Sequence, residues 1–258
     1  MSPGPGPNSE SLSTEAEGFR HWVQDRENFP DTCDGGDPGS PNTPSIWVFG
    51  LEPGWPSAVA DIPWRHDGAR SAALEQYKIE LQLTWRFNCQ VFKLLAALNR
   101  RPPAAFREFA QNVRPFERGS MGYFKGNLFP IPCNRLATWD KSRQATTGFV
   151  KKDEYQNWMR ETRLPILRHW IEKCKPKIFI CSGIGHVADF MGLTDAYPPW
   201  SPHIFQVNGH TKKIYFSDSG TVPTIVVPHL SGGPNGLNSD ESIEIAASYI
   251  RRMLPSVF

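Results

Sequence analysis

The chain has 258 residues, of which 39% are hydrophobic and 21% charged, a balance that suits a globular fold with a substantial core and excludes a compositionally disordered or collagen-like chain. Its net charge is only +2, so whole-molecule electrostatics neither announce nor exclude a nucleic-acid partner. No apolar run approaches the roughly 18–20 residues that span a bilayer, and no membrane partner is expected.

The first residues are rich in Pro, Gly and Ser. They lack the basic start and apolar run of a secretory signal, so a cytoplasmic location is the expectation, nucleoid-associated in a prokaryote. Residues 1–14 are predicted to be a disordered tail, leaving 15–258 as a single domain. Phe19, Trp22 and Val23 stand at helical spacing and predict a helix over 15–28. The Gly, Pro and Asn of 31–45 predict a loop. Ile46-Trp47-Val48-Phe49 is a short apolar run that predicts a buried strand.

Val91, Leu94, Leu95 and Leu98 predict an amphipathic helix over 89–99, and residues 127–131 a second strand with Pro130 near its end. Residues 153–174 predict one or two helices, with Pro165 opening the second. A third strand is expected over 177–181, followed by a short helix over 185–191. Residues 204–207 and 213–216 flank Asn208-Gly209 as a hairpin looser than a two-residue turn. A fourth buried strand is expected over 224–227, and a last helix capped by Asn238 with Glu241 completing a capping box.

Short apolar strands separated by helices indicate an α/β fold: a central, mostly parallel four-stranded sheet with helices on both faces. Ligands of such sheets bind beyond the carboxyl ends of the strands. The residues to read together are therefore 52–55, 132–135, 182–186 and 229–238. Among them Glu52 supplies a carboxylate and His229 an imidazole, the latter followed by Ser231 and a Gly-Gly-Pro-Asn-Gly run that permits close backbone approach to a ligand. A carboxylate and an imidazole at one crevice suit hydrolysis, with water positioned on one side and a leaving group stabilised on the other. The five cysteines, Cys33, Cys89, Cys133, Cys174 and Cys181, form no CxxC pair. They are expected as buried free thiols, not as metal ligands or a disulfide framework. His186 and His203 have no partner at ligand spacing, and Ser182-Gly183-Ile184-Gly185 reads as a tight turn.

Gly50-Leu51-Glu52-Pro53-Gly54 after the first strand, and His229-Leu230-Ser231 after the last, resemble the two signature segments of the uracil-DNA glycosylase superfamily. Asn127 is similar in position to the residue that reads the base in that superfamily, and Phe87 to the aromatic that stacks on it; Trp64 is the competing stacker. The matches occur in the expected order over residues 46–254.

The resemblance implies a three-layer α/β/α sandwich and a monofunctional enzyme that hydrolyses the N-glycosidic bond of deoxyuridine in DNA. Uracil-containing DNA, single- or double-stranded, is then the partner, free uracil the product, and the protein a monomer. It implies that Glu52 orients water and stabilises the sugar cation while His229 stabilises the departing base. It also implies that Asn127, Phe87, Gly50, Leu51 and Trp55 line the base pocket, and that Ser231, Gly232, Gly233 and Asn235 hold DNA, with Leu237 or a neighbour as a wedge. Gly54-Trp55 stands where the best-known branch has Tyr, and Pro228 precedes the His. The cysteine pair of the iron–sulfur members is absent, so no metal and no cofactor is expected. Two alternatives stay open: a DNA- or base-binding module of the same fold without turnover, and a glycosylase for another damaged base such as hypoxanthine or xanthine.

Overall fold

The computed structural model describes residues 13–53, 76–133, 139–230 and 232–258. The expected tail, up to residue 12, lies outside the described residues, as do Gly54, Trp55, Trp64 and Ser231. Four strands form the parallel centre, side by side in the order β5 (Tyr123–Asn127), β4 (Ile46–Gly50), β6 (Ile178–Ser182) and β9 (Thr224–Val227). Every residue of β4, β6 and β9 is buried. That is why these segments are near-continuous apolar runs, with polar Ser182 and Thr224 only at strand ends and no polar alternation.

The sheet is larger and more mixed than the expected four-stranded, mostly parallel one. Among the described residues it has seven strands, in the order β1 (Gly35–Gly36), β5, β4, β6, β9, β8 (His210–Ser217) and β7 (His203–Val207), beside a separate pair formed by β2 (Gly39–Ser40) and β3 (Thr43–Pro44). On one side β8 (His210–Ser217) pairs antiparallel with β9, and β7 (His203–Val207) antiparallel with β8. These strands carry Thr, Lys and His among their apolar residues and lie at the rim, so their pattern reads as a hairpin without revealing that it joins the sheet. The hairpin is also tight: Val207 pairs with His210, and Asn208 and Gly209 both take positive φ, as a two-residue turn requires.

On the other side β1 (Gly35–Gly36) pairs antiparallel with β5 inside a stretch expected as loop. The backbones approach so closely that an added Cβ would lie 2.2 Å from Phe116 O at Gly35 and 2.1 Å from Tyr123 O at Gly36. Only glycine allows this pairing, and glycine carries no strand propensity to announce it.

Other expectations need correction. Asn127 ends β5 where a strand was expected to begin, and the ladder runs on through Leu128 N to Gly50 O (2.9 Å) and Phe129 N to Leu51 O (2.8 Å). Helix α6 (Lys152–Cys174) runs unbroken through Pro165. Proline removes one helical hydrogen bond there, but buried Tyr155, Met159, Leu167 and Ile171 hold the helix on the sheet. Helix α8 (Asp240–Met253) is capped by Ser239 with Ser242, not by Asn238 with Glu241. Asn238 Nδ2 instead donates to Gly233 O at 2.7 Å.

Two apolar layers sandwich the sheet. Trp47, Phe49 and Phe179 face a cluster with α1 (Thr14–Gln24), α6 and α7 (Val187–Gly192). Ile46, Val48, Ile180 and Ile225 face the opposite cluster with α2 (Ile79–Gln82), α3 (Arg86–Leu98), α4 (Phe106–Val113) and α8. A further short helix, α5 (Lys141–Thr147), packs against α1. All five cysteines are free, and Cys33, Cys174 and Cys181 are buried. Among the described residues no helix is long and apolar enough to cross a membrane.

Candidate functional site at the carboxyl ends of the strands

Parallel pairing brings the ends of β4 and β5 together in exact register, Gly50 opposite Asn127. A Cβ on Gly50 would lie 2.7 Å from Asn127 Oδ1 and 3.4 Å from Phe87 Cζ. The space a side chain would take at Gly50 is thus filled by the Asn127 amide on one flank and the Phe87 ring on the other. Phe87 is in the first turn of α3, half-buried, and its ring centroid lies 6.0 Å from that of His229, edge-on at 60°. Gly50, Asn127, Phe87 and His229, chosen from four separate segments, are brought together.

His229 follows β9 after Pro228 and is partly buried. Burial pushes its pKa below the ordinary 6.5, because desolvation disfavours the imidazolium. The ring is therefore neutral at neutral pH. A neutral imidazole carries one N–H donor and one acceptor nitrogen.

Glu52 is placed differently from the carboxylate the sequence suggested. Its side chain is only 5% exposed, and the Lys152 ammonium, at the start of α6, lies 2.6 Å from Oε1. The approach lacks the alignment of a hydrogen bond, so the contact is an ion pair. Glu52 also acts through space on Tyr155 and Cys133, where its charge helps burial to push the phenol and the thiol up. Leu51 is buried, and Gly183 at the end of β6 packs directly on its methyl groups. Both residues extend the site toward the α6 side of the sheet.

Sequence reasoning missed a polar cluster behind Asn127. Asp34, just before β1, receives Asn127 Nδ2 at 3.2 and 3.1 Å and the Lys125 ammonium of β5. Lys125 is buried, donates to the Tyr77 phenol oxygen at 3.0 Å and lies over the Phe87 ring at 5.5 Å. Desolvation pushes its pKa down, but the charge of Asp34 and the Tyr77 contact outweigh that, and the net shift is upward. The lysine is charged. Asn88 Nδ2 completes the set on the Tyr77 oxygen at 3.0 Å. The signal that was available is Gly35-Gly36: two glycines beside an acidic residue mark a place where backbone is pressed against a neighbour.

A second missed group is His186, whose Nδ1 lies 2.8 Å from Asp189 Oδ2; Arg160 grips the same carboxylate at 2.8 and 3.0 Å. Burial would raise the Asp189 pKa, but the hydrogen bonds from His186 and Arg160 prevail and bring it to about 2. The spacing of three between His186 and Asp189 on a helical turn is the signal that could have found it.

The loop after His229 has two characters. Gly233 and Asn235 are exposed and Gly232 partly so. Leu237 does not suit the wedge expected of it. Its side chain is completely buried in the layer under α8, so insertion into a base stack would first require leaving the core. The loop is tied down from beneath by buried Lys212, which donates to Pro234 O at 2.9 Å and Gly236 O at 2.6 Å. No family model matches the chain, and no curated protein matches it.

Proposed function

We propose that the protein is a uracil-DNA glycosylase, hydrolysing the N-glycosidic bond of deoxyuridine in DNA to free uracil and an abasic site. The observation that carries this reading is the convergence of Asn127, Phe87 and His229 around Gly50 at the carboxyl ends of parallel strands. A base flipped out of the stack would lie against the face of Phe87. Asn127 would pair with its O4 and N3–H edge, and His229 would donate to O2. Cleavage builds positive charge on the sugar and negative charge on the departing uracil. A neutral imidazole donor bonds an anion more strongly than a neutral carbonyl. Its contribution therefore grows toward the transition state, which is what accelerates the step. Glu52 enters as the carboxylate nearest in sequence to Gly50, acting through Oε2, since Oε1 is taken by Lys152.

The Lys152–Glu52 pair favours a second reading, a base-binding module of the same fold without turnover. A carboxylate that is already buried and compensated stabilises a sugar cation less than a free one. End-labelled oligonucleotides carrying one uracil, single- and double-stranded, separate the two after alkaline cleavage of abasic sites. Scission that is lost in both Glu52→Ala and His229→Ala supports catalysis. Tight, uracil-dependent binding without scission at any salt concentration supports the module, and neither binding nor scission removes both.

A further inference from the structure

The pair Asp34–Lys125, a half-buried carboxylate and a buried ammonium, takes no part in the chemistry above, yet it packs against the one side chain assigned to reading the base. An ionised carboxylate only accepts hydrogen bonds. With Asn127 Nδ2 at 3.2 and 3.1 Å from the two Asp34 oxygens, the amide nitrogen must face Asp34 and Oδ1 must face Gly50, where an added Cβ would meet it at 2.7 Å. Turning the amide over would set its oxygen against an anion. Asp34 is itself anchored, because Lys125 bonds it from one side and is held in turn by Tyr77, whose oxygen also takes Asn88 Nδ2.

We propose that Asp34 is the positioning residue that decides which base edge the pocket accepts, by holding the Asn127 amide in one of its two orientations. The inference rests on the reading of Asn127 as the base-reading residue. In the held orientation Oδ1 accepts and the remaining Nδ2 hydrogen donates. Uracil offers N3–H beside O4 and matches. Cytosine offers an unprotonated N3 beside an amine, and matches only a turned amide. Discrimination thus comes from a charge behind the contact residue, brought there by Gly35-Gly36.

The test compares wild type with Asp34→Asn, whose side chain offers either a donor or an acceptor to Asn127. Because Asp34→Asn strands the Lys125 ammonium, the double variant Asp34→Asn with Lys125→Met, which removes both charges, is measured beside it. Excision of uracil and of cytosine from otherwise identical single-stranded oligonucleotides is followed, with affinity for the same oligonucleotides by fluorescence anisotropy. Exchange of the Asn127 side-chain amide protons, assigned by their loss in Asn127→Asp, is read by NMR.

The expected result is a fall of about tenfold or more in the uracil-to-cytosine ratio, the worth of one hydrogen bond to a charged group, with faster amide exchange. A merely structural role would lower both substrates alike. A folded double variant with an unchanged ratio, or with unchanged amide exchange, overturns the proposal. Wild type that neither excises nor prefers uracil refutes the base-excision reading by itself. Amide exchange then still decides whether Asp34 holds Asn127.

Discussion

Gly50→Ala tests the site with the smallest possible perturbation. The new methyl carbon would lie 2.7 Å from Asn127 Oδ1, whereas ordinary contact begins at 3.4 Å, and it would touch Phe87 Cζ at that limit. Gly50 sits in a strand with an ordinary φ, so the backbone accepts alanine and gains about 0.5–1 kcal/mol from reduced chain entropy. The amide must give way by 0.7 Å, and it is held by Asp34 through its nitrogen. Losing that charge-assisted bond costs about 1.5–3 kcal/mol. The entropy gain offsets only part of this cost, leaving a net destabilisation of about 0.5–2.5 kcal/mol, or a Tm lower by roughly 1–10 °C for a chain of this size. Activity suffers far more, because misplacing a substrate-contacting group by nearly 1 Å costs on the order of 100-fold. Thermal denaturation and single-turnover excision of uracil on the same preparations measure the two effects. Excision by a folded Gly50→Ala protein at the wild-type rate would refute the reasoning, since the methyl group has nowhere else to go.

Three further outcomes follow from the same geometry. Lys152→Met leaves the Glu52 carboxylate buried and unpaired, which costs about 3–5 kcal/mol; adding Glu52→Gln should restore much of the lost Tm, and no recovery would mean that the two side chains are not coupled. Leu237→Ala removes a fully buried side chain and should lower stability by about 2–5 kcal/mol, seen in urea unfolding; a wedge would instead lose DNA affinity at unchanged stability. His229 has a folded pKa below the ordinary 6.5, so on acidification the unfolded chain takes up its proton first. Stability from this residue is complete above pH 6.5 and declines as pH falls toward the folded pKa; His229→Gln should flatten that part of the stability–pH curve, and an unchanged slope would contradict a buried neutral imidazole.

The parallel centre of the fold was legible because its strands are buried on both faces, which leaves runs such as Ile46-Trp47-Val48-Phe49 and Ile225-Val226-Val227 without polar interruption. The rim was not. Strand β1 consists of two glycines, and β8 owes its place to pairing with β9 more than to its own pattern. In the candidate site, Asn127 and Phe87 were singled out through resemblance to a family, and hydrophobic periodicity alone would have passed over both. Asp34 was invisible for a different reason. Its partners Lys125 and Asn127 are 91 and 93 residues away, and a lysine within a strand ordinarily points to solvent. Only the fold shows that this lysine is buried and that a carboxylate is what makes its burial tolerable. The pairing of Glu52 with Lys152 likewise joins residues on opposite sides of the sequence, so a reading that found the carboxylate had no means of finding its neutraliser.

That neutralisation changes what the pocket can do electrostatically. Each of the two carboxylates flanking the ends of β4 and β5 faces a lysine, Asp34 with Lys125 and Glu52 with Lys152. In the proposed reading, the groups among the described residues that act on the base are dipoles, the Asn127 amide and the His229 ring, in a partly desolvated crevice. Fixed dipoles bind a neutral base weakly and its anion strongly, and they need no reorganisation as the charge develops. A full positive charge on His229 would stabilise the anion too, but its desolvation would have to be met before any substrate arrived. In the proposed reaction the base side of the bond is thus served by preorganised dipoles. The sugar side depends on how much of Glu52's charge Lys152 leaves available, so Glu52→Gln should slow excision less than His229→Ala does. The reverse order, measured in single turnovers at saturating protein, would show that Lys152 yields the carboxylate when DNA binds.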